Sequence, residues 1–191
     1  MKDMAKLIFL ILMVISSLST PIYATKTEES WFQIISNHGN EKTAKLHFYL
    51  QNLVGGENKT VYEVVRGCIT SNSLFSLGSI VVLDNLITVE PDMKSEPIGR
   101  FQGVATSADL KTTAVELNAY FDFTSGGVSG STISISGRNP LVMNGVIELP
   151  VVGGTGMFRF ARGYVIKNYT TIVENEYVLV ESTIYVTYMD N

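Results

Sequence analysis

In Lys45-Leu46-His47-Phe48-Tyr49-Leu50-Gln51, the apolar Leu46, Phe48 and Leu50 alternate with His47, Tyr49 and Gln51. A period of two sends the two sets to opposite sides of an extended chain, so this stretch predicts a strand with two different faces. Further strands are predicted near Val61–Ile69, Ser79–Asp84, Ile98–Ser107, Thr113–Thr124, Ser131–Ser136, Val146–Pro150, Phe158–Tyr169 and Tyr177–Tyr188. Turn residues punctuate them at Gly55-Gly56, Glu90-Pro91-Asp92, Gly126-Gly127, Arg138-Asn139-Pro140 and Gly153-Gly154. No stretch carries a helical period. Many short strands without crossover helices imply an antiparallel sandwich or a closed barrel, and about eight strands favour a barrel able to enclose one small ligand.

The N-terminus reads differently. Two lysines within Met1–Lys6 precede an apolar run, Leu7–Ile15, and then small residues ending at Ala24. That order predicts a secretory signal peptide over residues 1–24, cleaved after Ala24. The run meets Ser16, Ser17, Ser19, Thr20 and Pro21 too early for a spanning helix, which needs about 20 apolar residues. The mature chain, 25–191, is expected to be one domain outside the cell, with 25–42 a polar, flexible lead-in and no membrane span.

A net charge of −4 with 17% charged residues offers no basic face for nucleic acid. Cys68 is the only cysteine, so no internal disulfide can form. It is read as a small buried hydrophobe rather than a reactive thiol. With only His38 and His47 beside that one cysteine, no spacing resembles a zinc, copper or iron site, and no cofactor is expected. His47 is read as a polar barrel residue. Asn58-Lys59-Thr60 and Asn168-Tyr169-Thr170 are glycan acceptor sequons, Asn58 in a turn-like stretch and Asn168 in or just after a strand. The run Gly153-Gly154-Thr155-Gly156 lacks the Lys-Ser/Thr of a phosphate loop and precedes strand-like residues. It is read as a tight connection that needs positive φ.

Seven blocks then follow one another in a familiar order. They are Leu46-His47-Phe48-Tyr49-Leu50-Gln51, Asn58-Lys59-Thr60, Val81-Val82-Leu83-Asp84-Asn85-Leu86-Ile87-Thr88, Gly99-Arg100-Phe101-Gln102-Gly103, Gly130-Ser131-Thr132-Ile133-Ser134-Ile135, Gly137-Arg138-Asn139-Pro140, and Leu149-Pro150 through Gly163-Tyr164. In this order and over nearly the whole mature chain, the sequence resembles plant dirigent proteins. The resemblance implies a single eight-stranded antiparallel β-barrel with a central ligand cavity, secreted to the apoplast and assembled as a trimer or dimer. It also implies a small phenolic substrate or radical, with an external laccase or peroxidase as the radical source. The better-known members set which faces of phenoxy radicals couple to give optically active lignans from monolignols such as coniferyl alcohol. Related members dehydrate and close a phenolic ring system, as in pterocarpan formation. Both routes pass through a quinone methide.

The resemblance also nominates residues. Asp109 best fills the place of the aspartate that follows the Gly-Arg-x-Gln-Gly strand, as a catalytic acid whose pKa desolvation would raise; its other reading is an exposed turn aspartate before Lys111. A second family aspartate is replaced here by Asn52, which can hydrogen-bond but not donate a proton as an acid. Asp84 matches the family and is read as a buried, turn-stabilising residue, or else as a catalytic or substrate-binding one. Arg162 suits a phenolate or a carboxylate, and strand alternation predicts that only one of Arg159 and Arg162 faces the cavity, taken as Arg162. Asp122 shares a face with Glu116, Asn118 and Tyr120, either a solvated face or an extra cavity acid. Pinoresinol-forming relatives carry a cysteine pair absent here, which places the chain in the broader branch.

Overall fold

The alternation at residues 45–51 is realised in a long strand, β2 (Glu41–Leu53), whose Ala44, Leu46, Phe48 and Leu50 are all buried while Lys45, His47 and Tyr49 between them are not. Each such apolar side chain gains about 1.5–3 kcal/mol on leaving water, so the inward face determines the register. The computed structural model describes residues 29–66, 77–141, 145–173 and 176–190. The predicted signal peptide, Cys68 and the end of the Val61–Ile69 strand lie outside them.

Among the described residues ten strands form one antiparallel sheet: β1 (Phe32–His38), β2, β3 (Val61–Val65), β4 (Ile80–Thr88), β5 (Pro97–Ser107), β6 (Ala114–Phe123), β7 (Ser131–Pro140), β8 (Val146–Thr155), β9 (Arg162–Val173) and β10 (Tyr177–Met189). The order β2-β10-β9-β8-β7-β6-β5-β4 returns on itself because Tyr49, Leu50 and Gln51 of β2 pair with Thr88, Ile87 and Leu86 of β4. Eight strands therefore close a barrel, as expected, and closure removes the open edges a flat sheet would expose. Strands β1 and β3 are appended outside this ring. The first occupies the edge of β2 at residues 41–46, below its contact with β4, and the second pairs with β4.

β1 corrects the reading of 25–42 as a flexible lead-in. Residues 32–38 are strand, and just before them Trp31 is buried, stacked on Phe123 at 5.7 Å. Ile34 and Ile35 of β1 remain half-exposed. The strand is therefore anchored mainly by its ladder and by that tryptophan, which explains why no clean alternation announced it.

The two ends of the barrel differ. One is plugged by Phe123, Phe158 and Tyr188, all fully buried, with Phe158 5.8 Å from Phe123 and 5.3 Å from Tyr188. Two short 3₁₀ turns, Gly126–Val128 and Gly156–Phe158, fold Val128 and Phe158 inward at this end. Of the glycine-rich run read as a tight connection, only Gly156 takes a positive φ, +62; Gly153 and Gly154 belong to β8, and Gly154 is needed for space, since a Cβ there would lie 2.6 Å from the carbonyl oxygens of Phe158 and Thr132. The other end holds most of the buried polar side chains.

Candidate functional site

On β9 the inward face runs Val165, Lys167, Tyr169, and Lys167 is only 4% exposed. Its ammonium reaches Asn139 Oδ1 on β7 at 3.5 Å and lies 5.6 Å from the centroid of the Phe101 ring on β5, across the barrel. Asn139 in turn donates to the Tyr169 hydroxyl at 3.5 Å. Opposite Lys167 in the β9–β10 ladder stands Ser182, fully buried, whose Oγ has no hydrogen-bond partner among the described residues. Burial pushes the Lys167 ammonium down from 10.5 to about 8, and raises the Tyr169 phenol above its ordinary value. No carboxylate pairs with Lys167 among the described residues. Beneath it, Phe101 and Phe121 pack at 4.7 Å and Phe121 and Phe48 at 5.3 Å, an aromatic floor.

A second polar cluster lies at the β2–β4 seam. Asn52 donates to the Val178 carbonyl at 2.8 Å and accepts from Asn85, a fully buried residue that also accepts from Thr60 at 2.6 Å. Beside it, Gln51 donates to Thr88 at 2.7 Å and accepts from the Tyr177 hydroxyl. Every side chain here is a neutral amide or hydroxyl, with partners supplied by β4, β10 and the β2–β3 connection that holds Thr60.

A family profile described as Dirigent-like protein matches residues 43–187. The chain belongs to the dirigent family. It is 37% identical over 162 residues to Dirigent protein 21 of Arabidopsis thaliana, covering 82% of this chain and 85% of that protein. It is also similar to Pterocarpan synthase 1 of Glycine max, at 32% identity over 161 residues, covering 84% and 86%. The solved structure of the pterocarpan synthase dirigent protein GePTS1 superposes with a TM-score of 0.74 at 32% identity, covering 82% of this chain and 90% of that one.

Against this dirigent barrel, the nominated residues distribute unevenly. Asn52 lies in the polar seam, but Asp109, Asp84 and Arg162 face away from the interior. Asp109 sits in the β5–β6 connection, where it accepts from the backbone of Lys111 at 2.8 Å, from the Thr112 hydroxyl at 2.5 Å and from Arg138 at 2.9 Å. These donors hold its carboxyl well below the usual range, opposite to the rise expected of a desolvated acid. It is a turn residue held ionised. Asp84 is exposed and bound by Arg100 at 2.7 Å and Gln102 at 2.9 Å, which lower its pKa.

Arg162 is exposed and pairs with Glu41 at 2.6 Å. The alternation that makes Val165 inward makes residue 162 outward. Arg159 is exposed as well, because a 3₁₀ turn occupies 156–158 where a strand was predicted. Glu116, Asn118, Tyr120 and Asp122 form an outward face, with Tyr120 donating to Gln102 and Asn118 accepting from Ser136, so the solvated reading of Asp122 holds. His47 likewise faces outward, 2.9 Å from Glu181. Of the sequon residues, Asn58 is exposed in a turn and Asn168 is half-buried on β9. Among the described residues no three His, Cys, Asp or Glu side chains gather as a metal site.

Sequence reasoning missed Lys167, Asn139, Tyr169 and Ser182. The signal for Lys167 was present, since in Val165-Ile166-Lys167 a period of two puts the lysine on the face of Val165. Lysine is so rarely inside that strand parity alone does not mark it as an interior residue.

Proposed function

We propose that this chain steers the stereochemistry of coupling between phenolic radicals supplied by a separate oxidase, with monolignols such as coniferyl alcohol as substrates and optically active lignans as products. One observation supports this reading above ring-closing dehydration: the described inward face joins aromatic walls to amides, hydroxyls and the Lys167 ammonium and carries no carboxyl group, while Asp109 and Asp84 lie outside and stay ionised. Such an interior can hold and orient a flat phenolic by contact and hydrogen bonds. It offers no carboxylic acid to expel a hydroxyl group. The reading includes cleavage after Ala24, secretion to the apoplast, a glycan at Asn58 and a homo-oligomer.

A second reading, closure of an isoflavanol through a quinone methide, is favoured by the similarity to pterocarpan synthases. Two assays separate them. Coniferyl alcohol oxidised by laccase with and without the protein, followed by chiral chromatography, is expected to give an enantiomeric excess only with the protein and an unchanged rate of consumption. A racemic product overturns the first reading for this substrate. Consumption of an isoflavanol without oxidant establishes the second.

A further inference from the structure

We propose that Lys167 and Ser182 form the anchor of a binding site for an aromatic ligand bearing an anionic oxygen, a carboxylate or a phenolate, held inside the barrel with its ring against Phe101. An ammonium has three N–H donors, and the only acceptor it meets among the described residues is Asn139 Oδ1 at 3.5 Å, the long limit of a hydrogen bond. The hydroxyl directly across the ladder, on Ser182, is fully buried and has no hydrogen-bond partner among the described residues. An ammonium with one long hydrogen bond and a hydroxyl with none, on adjacent inward positions, are costly unless something accepts from both. No carboxylate among the described residues pairs with Lys167, and an anionic oxygen matches its charge while accepting from both donors.

The surroundings restrict the rest of the ligand. Phe101 lies 5.6 Å from the ammonium and continues through Phe121 to Phe48, so the side of the site away from the charge is aromatic. Asn139 and Tyr169 flank the ammonium, and the Tyr169 hydroxyl, which accepts from Asn139, keeps its own proton to donate. An aromatic acid or a phenolate matches this arrangement, whereas an aliphatic anion leaves the ring wall unused and a neutral aromatic leaves the charge unpaired. This deepens the reading above by naming the ligand class, and it is tested by binding alone, so that it stands or falls separately from the coupling assay.

Isothermal titration at pH 6 uses three probes: 4-methoxycinnamate, with a carboxylate and no phenol; 4-methoxycinnamyl alcohol, with neither; and coniferyl alcohol, with a phenol and no carboxylate. If the anionic oxygen is a carboxylate, 4-methoxycinnamate binds the wild-type protein at least tenfold tighter than 4-methoxycinnamyl alcohol, and Lys167→Met or Ser182→Ala weakens the acid without weakening the alcohol. If it is a phenolate, coniferyl alcohol is the tighter ligand and its binding releases a proton, read from the dependence of the heat on buffer ionisation. Binding of all three within twofold of one another and without proton release overturns the proposal, as does absence of binding by all three. The comparison within the wild-type protein decides the matter even if a variant fails to fold.

Discussion

Replacing Lys167 by methionine should make the protein more stable, with a pH dependence that identifies the cause. The side chain is 4% exposed, and burial lowers its pKa from 10.5 to about 8. Each pKa unit is worth about 1.4 kcal/mol, so holding the ammonium inside opposes folding by about 3 kcal/mol. A group whose folded pKa is depressed in this way is protonated in both states below pH 8, where the penalty is complete. Between about pH 8 and 10.5 the unfolded chain binds the proton and the folded one does not, so wild-type stability rises with pH over that window. Methionine keeps the length and most of the volume of lysine without the charge. In a domain of this size about 3 kcal/mol moves the melting temperature by about 6–12 °C.

Differential scanning calorimetry of wild type and Lys167→Met from pH 6 to 10 is the assay. The variant should melt higher at pH 6, and the gap should narrow as the pH rises above 8. A gap of zero or reversed sign at pH 6, or one independent of pH, would refute the claim that an uncompensated ammonium is buried there. A tightly bound anionic ligand should shrink the gap at pH 6 by stabilising only the wild type.

Asp109→Asn should leave coupling selectivity unchanged, because the residue braces a surface turn; in chiral assays a loss of enantiomeric excess would restore it as a site residue. The same variant should melt below wild type at neutral pH, and the difference should begin to shrink as the pH falls below 3.8, where the aspartate of the unfolded chain takes up its proton while the folded one stays ionised. Asn52→Asp places a carboxylate where Asn52 now donates to the carbonyls of Val178 and Leu50, so urea unfolding at pH 7 should show a loss of about 1–3 kcal/mol, recovered towards pH 4 as the group protonates and donates again. Phe121→Ala removes the central ring of the floor beneath Lys167 and should cost about 3–5 kcal/mol in denaturant titration. Expressed in a eukaryotic secretory host, Asn58→Gln should lose a glycosidase-sensitive mass increment.

The strand pattern was legible in the amino-acid order because a barrel wall has one dry face, and Leu46, Phe48 and Leu50 must alternate to supply it. The family was equally legible, carried by ordered blocks such as Gly137-Arg138-Asn139-Pro140. What lay beyond sequence is everything that depends on which face a polar residue takes and what it meets there. Arg162 faces out because the inward register of β9, Val165 and Lys167, is set by what packs inside the closed barrel, and residue 162 falls on the other face. Asp109 is held ionised by the Thr112 hydroxyl of its own turn and by Arg138, 29 residues away, which reaches that turn only in the folded barrel. Lys167, ordinary in a list of residues, becomes the distinctive group of the interior only when β7, β5 and β10 bring Asn139, Phe101 and Ser182 around it. Periodicity is a local property and survives in one dimension; desolvation and pairing are set by neighbours remote in the chain, and only the closed barrel supplies them.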